Sequence, residues 1–206
     1  MKTFFVTGGA GFVGSTLCEK IIADSKNHKL IILDKLTYSG NLKYLKNILH
    51  LKRVKFIKGD LLNYKKLESN LKNVDLAINV AAESHVDNSF GNSLIFTKTN
   101  TLGTHYFLEA CRKQKVNKIL HVSTDEVYGE NLKKPFTEKQ FLNPTNPYSA
   151  SKAGADMIVN AYKKSYNLNI VTVRANNIYG TRQFPEKLIS KTIYSFLTKK
   201  KMTING

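Results

Sequence analysis

Six short apolar runs alternate with stretches of helical spacing, and that alternation restricts the fold more than any other feature of the chain. The runs at residues 3–7, 30–34, 54–58, 76–80, 119–123 and 170–174 are mostly apolar or β-branched, as strands covered on both faces tend to be. Between them, residues 14–23, 42–49, 61–71, 99–113 and 149–166 carry apolar side chains three and four apart, which predicts helices. Strict alternation of this kind means parallel pairing through right-handed crossovers, because no tight hairpin joins parallel neighbours. The expected fold class is therefore α/β, a doubly wound parallel sheet. After Gly180 the pattern changes to a predicted helix at 185–199 and a predicted strand at 202–205. Residues 1–180 are expected to form the main domain, and 181–206 to begin a smaller one that the chain leaves incomplete.

Composition narrows the function classes. The net charge of +17 invites a nucleic-acid reading, but only four of the 32 basic residues are Arg. The lysines are scattered, without the Arg forks and interleaved aromatics that phosphate and base readers use. A solvated Lys-rich surface is the better account, so no nucleic-acid partner is expected. Cys18 and Cys111 lie far apart and show no ligand spacing, and the five His are dispersed. Both thiols read as free and buried in a reducing compartment, and no metal site is expected. The first residues are too briefly apolar for a signal peptide, and no stretch approaches a membrane span. Cytoplasmic localisation is the expectation.

Gly8-x-x-Gly11-x-x-Gly14 falls between the first strand and the first helix. Such glycines allow a tight turn, close approach of the backbone to a pyrophosphate, and close helix–strand packing, with the helix N-terminus facing the anion. Asp34 stands twenty residues past Gly14 at the end of the second strand, where a carboxylate can bind ribose hydroxyls and would repel a 2′-phosphate. The reading is a Rossmann cofactor site with NAD preferred over NADP. Asp60, after the third strand, could accept a hydrogen bond from adenine or simply cap a helix; both roles fit.

Tyr148 and Lys152 are four apart on a predicted helix and so share a face. A nearby ammonium lowers a tyrosine's pKa, and so would an oxidised nicotinamide, which would make Tyr148 a base. Thr124, Asp125 and Glu126 fall at the carboxyl end of the fifth strand, the edge where open α/β sheets hold ligands. Two carboxylates crowded into a dry site cannot both ionise easily, which would leave an acid beside a base. A Tyr/Lys pair with a Thr suffices for oxidising an alcohol. The added carboxylates suggest a second proton transfer, such as removing a carbon-bound proton and expelling water.

These residues, with the segments 7–15, 34–38, 81–87 and 183–189, resemble the nucleotide-sugar 4,6-dehydratases of the extended short-chain dehydrogenase/reductase superfamily. Those acting on dTDP-glucose are the nearest group, and the resemblance covers the whole chain. It implies Thr124, Asp125, Glu126, Tyr148 and Lys152 as catalytic residues. It implies cofactor contacts at Gly8, Gly11, Phe12, Val13, Gly14, Asp34, Lys35, Thr37, Asp60, Leu61, Ala81, Ala82 and Thr99, besides Tyr148 and Lys152. Substrate contacts are carried over to Ser84, Thr124, Asn177, Glu186, Lys187 and Leu188. The implied cofactor is NAD, the implied partner a sugar nucleotide (dTDP-glucose or UDP-glucose), and the implied assembly a homodimer. Asn88 stands where the dTDP enzymes usually carry Arg, and residues 85–92 and 174–180 look more like the UDP-glucose 4,6-dehydratases. Family chains are roughly half as long again. Two rivals stay open: a nucleotide-sugar epimerase or decarboxylase, which needs no acid at Asp125, and an NAD-binding scaffold without turnover.

Overall fold

The computed structural model describes residues 1–130 and 134–202. Strands β1 (Thr3–Thr7), β2 (Lys29–Asp34), β3 (Val54–Lys58), β4 (Leu76–Asn79), β5 (Lys118–Thr124) and β6 (Ile170–Ala175) form one sheet in the order β3-β2-β1-β4-β5-β6. Every pairing is parallel. The helices are α1 (Phe12–Asp24), α2 (Tyr64–Asn70), α3 (Val86–Gly91), α4 (Ser93–Phe96), α5 (Gly103–Lys113), α6 (Pro147–Ser165) and α7 (Leu188–Thr198).

Successive residues of a strand face opposite sides of a sheet, and the two cores follow that rule. Phe5, Leu33, Ala77 and Ile119 pack with Leu67 of α2, Phe107 and Leu108 of α5 and Val159 of α6. Their neighbours Val6, Ile32 and Ile78 pack on the other side with Cys18 and Ile22 of α1 and with Leu45. This is why the central strands read as largely apolar runs. The second side is covered only in part, because Val171 and Val173 of β6 are 58% and 43% exposed.

The expected helix at 42–49 is instead a 3-10 turn, Leu42–Leu45, followed by further turns. Leu42, Leu45, Ile48 and Leu51 recur at intervals of three, which suits three residues per turn better than 3.6. Helix α2 starts later than expected, because Asn63 caps it by accepting from the Lys66 amide at 3.0 Å. The expected helix at 99–113 opens with a π-helical stretch, Thr97–Leu102. There Asn100 is buried; its side chain accepts from the Glu83 amide and donates to the Glu83 carbonyl, both at 2.9 Å. It also donates to Ser151 Oγ at 2.9 Å, so the widened turn ties β4's continuation to α6. Helices α3 and α4 were not expected from the spacing. Met202 lies in no helix or strand, and the rest of the expected strand at 202–205 lies outside the described residues.

Candidate functional site

The carboxyl ends of the strands surround a cavity of ≈ 590 Å³. It lies across β1 and β4, where the strand order reverses and open α/β sheets bind ligands. At its floor, Gly8 holds φ +68°, and a Cβ there would come 2.7 Å from the Ala81 backbone. A Cβ on Gly14 would overlap the Gly8 carbonyl oxygen, whereas one on Gly11 would meet nothing closer than that oxygen at 3.4 Å. Gly8 and Gly14 thus pack the turn against β4 and α1, and Gly11 leaves its backbone open. Gly11, Phe12, Val13 and Gly14 bring the start of α1 to the cavity wall, where unpaired amides and the helix dipole favour an anion.

Asp34 is 8% exposed. Its carboxylate accepts from the Ala10 amide and from the Leu36 amide, each at 2.8 Å, so it also clamps the glycine turn. Asp60 Oδ1 accepts from the Leu62 amide at 3.0 Å and Oδ2 pairs with Lys35 at 2.7 Å. Burial opposes the Asp60 charge, but the Leu62 amide and Lys35 outweigh it and hold the carboxyl below its usual range. It is Asn63, not Asp60, that caps α2. Thr37, Leu61, Ala81, Ala82 and Thr99 also line the cavity, beside Asp34, Lys35 and Asp60. A glycine cradle, a helix start and a carboxylate at a strand end fit a dinucleotide with free ribose hydroxyls.

On the opposite wall, a capping box starts α6. Asn146 accepts from the Ser149 amide at 2.8 Å, and its own amide donates to Ser149 Oγ at 3.2 Å. With Pro147 first in the helix, Tyr148 and Lys152 sit one turn apart in the first turns, 8% and 4% exposed. Lys152 Nζ donates to the Val122 carbonyl at 2.7 Å. Burial pushes Lys152 down to about 8, with Asp156 working against it. Burial, then the charge of Glu126, pushes Tyr148 up to about 12, while the Thr124 hydroxyl pulls the other way. The expected lowering of Tyr148 by Lys152 is therefore not what dominates in the protein alone; burial and the charge of Glu126 are.

Thr124 is 6% exposed; its hydroxyl donates to Asp125 Oδ1 and accepts from the Glu126 amide, each at 3.2 Å. Glu126 lines the cavity, and of the residues expected at the site only Asp125 lies outside the lining. Ser84, Asn177, Glu186, Lys187 and Leu188 complete the mouth. Sequence reasoning passed over several groups here. Tyr38 meets Phe184 edge-on with ring centroids 5.3 Å apart, and Arg182 pairs with Glu19 of α1 at 2.6 Å. Together they hold the segment after β6 over the opening. Glu83 also faces in, its carboxyl raised by burial and by Glu186 despite Lys35. No local spacing announces contacts between residues more than a hundred apart in sequence.

A Rossmann sheet whose glycine turn and Tyr148/Lys152 pair open onto one cavity defines a short-chain dehydrogenase/reductase architecture. Within it the chain belongs to the GDP-mannose 4,6 dehydratase family, whose profile matches residues 5–206. It is 47% identical to a dTDP-D-glucose 4,6-dehydratase of Dictyostelium discoideum, over 100% of this chain and 50% of that protein. It is 45% identical to a trifunctional Arabidopsis thaliana enzyme with UDP-glucose 4,6-dehydratase, 3,5-epimerase and reductase activities, over 100% of this chain and 32% of that one. The dTDP-glucose 4,6-dehydratase of Streptomyces venezuelae, solved with NAD bound, superposes with a TM-score of 0.93 at 40% identity, over 96% of this chain and 62% of that structure. The chain thus spans half or less of the length of these two curated relatives.

Proposed function

We propose that this chain carries the NAD site and the catalytic residues of a nucleotide-sugar 4,6-dehydratase, converting dTDP-glucose to its 4-keto-6-deoxy form. The observation that carries the reading is the opening of Thr124, Glu126, Tyr148 and Lys152 into the same cavity as the glycine turn and Asp34. Bound nicotinamide would take the hydride of sugar carbon 4 and later return it to carbon 6. Tyr148 accepts the proton of the 4-hydroxyl, which Thr124 orients. Lys152 holds positive charge beside Tyr148 and the cofactor ribose. The resulting 4-ketone acidifies the proton on carbon 5. Glu126 removes that proton, and Asp125, which accepts a hydrogen bond from the Thr124 hydroxyl, protonates the departing 6-hydroxyl as water leaves. Glu126 then gives its proton back to carbon 5 as carbon 6 is reduced, so the cycle needs no external reductant. Lys187, at the mouth, suits the diphosphate.

UDP-glucose is the second reading, supported by the 45% identity to the Arabidopsis enzyme. The two are separated by incubating the protein with NAD and either sugar nucleotide and following the 4-keto product by NMR. Product from one nucleotide at a clearly higher kcat/KM identifies the substrate. A 4-epimer would overturn the dehydratase reading. Calorimetric titration checks the cofactor: NAD should bind more tightly than NADP because Asp34 faces the ribose end, and the reverse order would remove that role from Asp34.

A further inference from the structure

Behind Tyr148 and Lys152 lies a buried polar chain that the proposed reaction does not use. Asp156 sits one turn beyond Lys152 on α6 and is 1% exposed. Its Oδ2 accepts from Arg174 Nε of β6 at 2.8 Å, and Arg174 Nη1 donates to the Tyr128 hydroxyl at 2.6 Å. Its Oδ1 lies 3.5 Å from His121 Nε2 of β5, and neither atom completes a well-formed hydrogen bond among the described residues. His121 Nδ1 is in turn 3.4 Å from Asn79 Nδ2 of β4, and Asn79 Oδ1 accepts from the Thr7 hydroxyl at 2.7 Å. Polar groups therefore line the interior from the strand before the glycine turn to the helix that carries Tyr148, joined by hydrogen bonds except at the 3.5 Å approach of His121 to Asp156.

A carboxylate this deeply buried costs several kcal/mol in desolvation and persists only when it is matched. Arg174 and His121 supply the match, and together they hold Asp156 ionised below its usual range although burial opposes them. The cationic head of Lys152 is equally buried, and its hydrogen bond goes to a neutral carbonyl. The acid that supports its charge is Asp156. We propose that Asp156, fixed by Arg174 and His121, is a positioning residue that keeps Lys152 in its ammonium form and thereby sets the pH range over which the Tyr148/Lys152 pair works. The inference rests on the reading that Lys152 acts in the reaction as a cation. The charged and titratable groups facing Asp156 are Lys152 from its own helix, His121 from β5 and Arg174 from β6. Burial, with Lys152 adding to it, holds His121 below its ordinary pKa, although Asp156 opposes the shift.

The sign follows directly. Removing the negative charge at Asp156 lowers the pKa of Lys152, so Lys152 loses its proton at lower pH. The experiment is a titration of the protein carrying 13Cε-labelled lysine, followed by NMR, with the Lys152 resonance assigned by its loss in Lys152→Arg. Asp156→Asn should move the Lys152 midpoint toward acid by on the order of one pH unit. Asp156→Glu should restore most of it. The alkaline limb of product formation should move by the same amount in the same direction. Should Asp156→Asn alone fail to fold because Arg174 is left unpaired, the double variant Asp156→Asn/Arg174→Met is compared with Arg174→Met, so that the difference in Lys152 midpoint between the two reads the Asp156 charge. An unmoved Lys152 titration in a folded variant overturns the proposal. A 4-epimer formed by the unaltered protein would instead sink the dehydratase reading, while the titration would still decide the role of Asp156.

Discussion

The Thr124 hydroxyl stands between two acidic neighbours, donating to the Asp125 carboxylate and accepting from the Glu126 amide, and only Glu126 faces the cavity. If Asp125 protonates the leaving hydroxyl, its loss should spare the first oxidation and slow the elimination. Asp125→Asn should therefore accumulate reduced nicotinamide transiently in stopped-flow absorbance, with net turnover down by about 10²–10⁴. Tyr148→Phe should form no reduced nicotinamide from the outset. Equal loss of both steps in Asp125→Asn would remove the acid role from that residue. The sequence was readable here wherever a residue type and its place at a strand end coincide, as with Asp34, Thr124 and Lys152. It was silent on Asp156, because a Lys and an Asp four apart look the same on a wet helix surface as in a dry core. Tyr38 and Arg182 escaped for another reason: they act through contacts with Phe184 and Glu19, far away in the chain.

Strand existence and parallel pairing were legible because the strands are mostly apolar and alternate with stretches of helical spacing. Element ends were less so. Helices α3 and α4 are short, and α3 is held by the His85 ring, which accepts from the Asn88 amide at 3.4 Å, rather than by an apolar stripe. The π-helical stretch depends on Asn100 reaching Glu83 and Ser151, which no spacing within the helix encodes. The glycine turn is the element whose geometry makes the sharpest prediction. Gly14→Ala would drive a Cβ into the Gly8 carbonyl, whereas Gly91→Ala meets nothing within 4 Å. Gly14→Ala should cost about 2 kcal/mol or more in urea unfolding, as overpacking does, and should abolish NAD binding by calorimetry. Gly91→Ala should be neutral or stabilising by up to about 1 kcal/mol. Similar NAD affinity in the two variants would mean that the turn does not hold the cofactor.

At the scale of the whole molecule, burial is unevenly spread. The sheet is mostly dry over β1, β2 and β4, yet the β6 side chains Val171 and Val173 and the whole of α7 stay largely in solvent. On α7, Ile189, Ile193 and Phe196 follow four- and three-residue spacing, so they share one face, and Phe196 is 82% exposed. An apolar stripe without a packed partner adds little to folding stability and exposes surface that water would rather exclude. Ile193→Asn/Phe196→Ser should therefore lower the binding of the dye ANS and reduce light scattering at high protein concentration. The same variant should leave the urea midpoint nearly unchanged, within about 0.5 kcal/mol, as surface substitutions usually do. Unchanged dye binding would place the sticky surface elsewhere, with the exposed β6 side chains next to be tested by Val171→Thr/Val173→Thr. A loss of several kcal/mol would instead show that α7 is packed in solution and that its apolar face contributes to the fold.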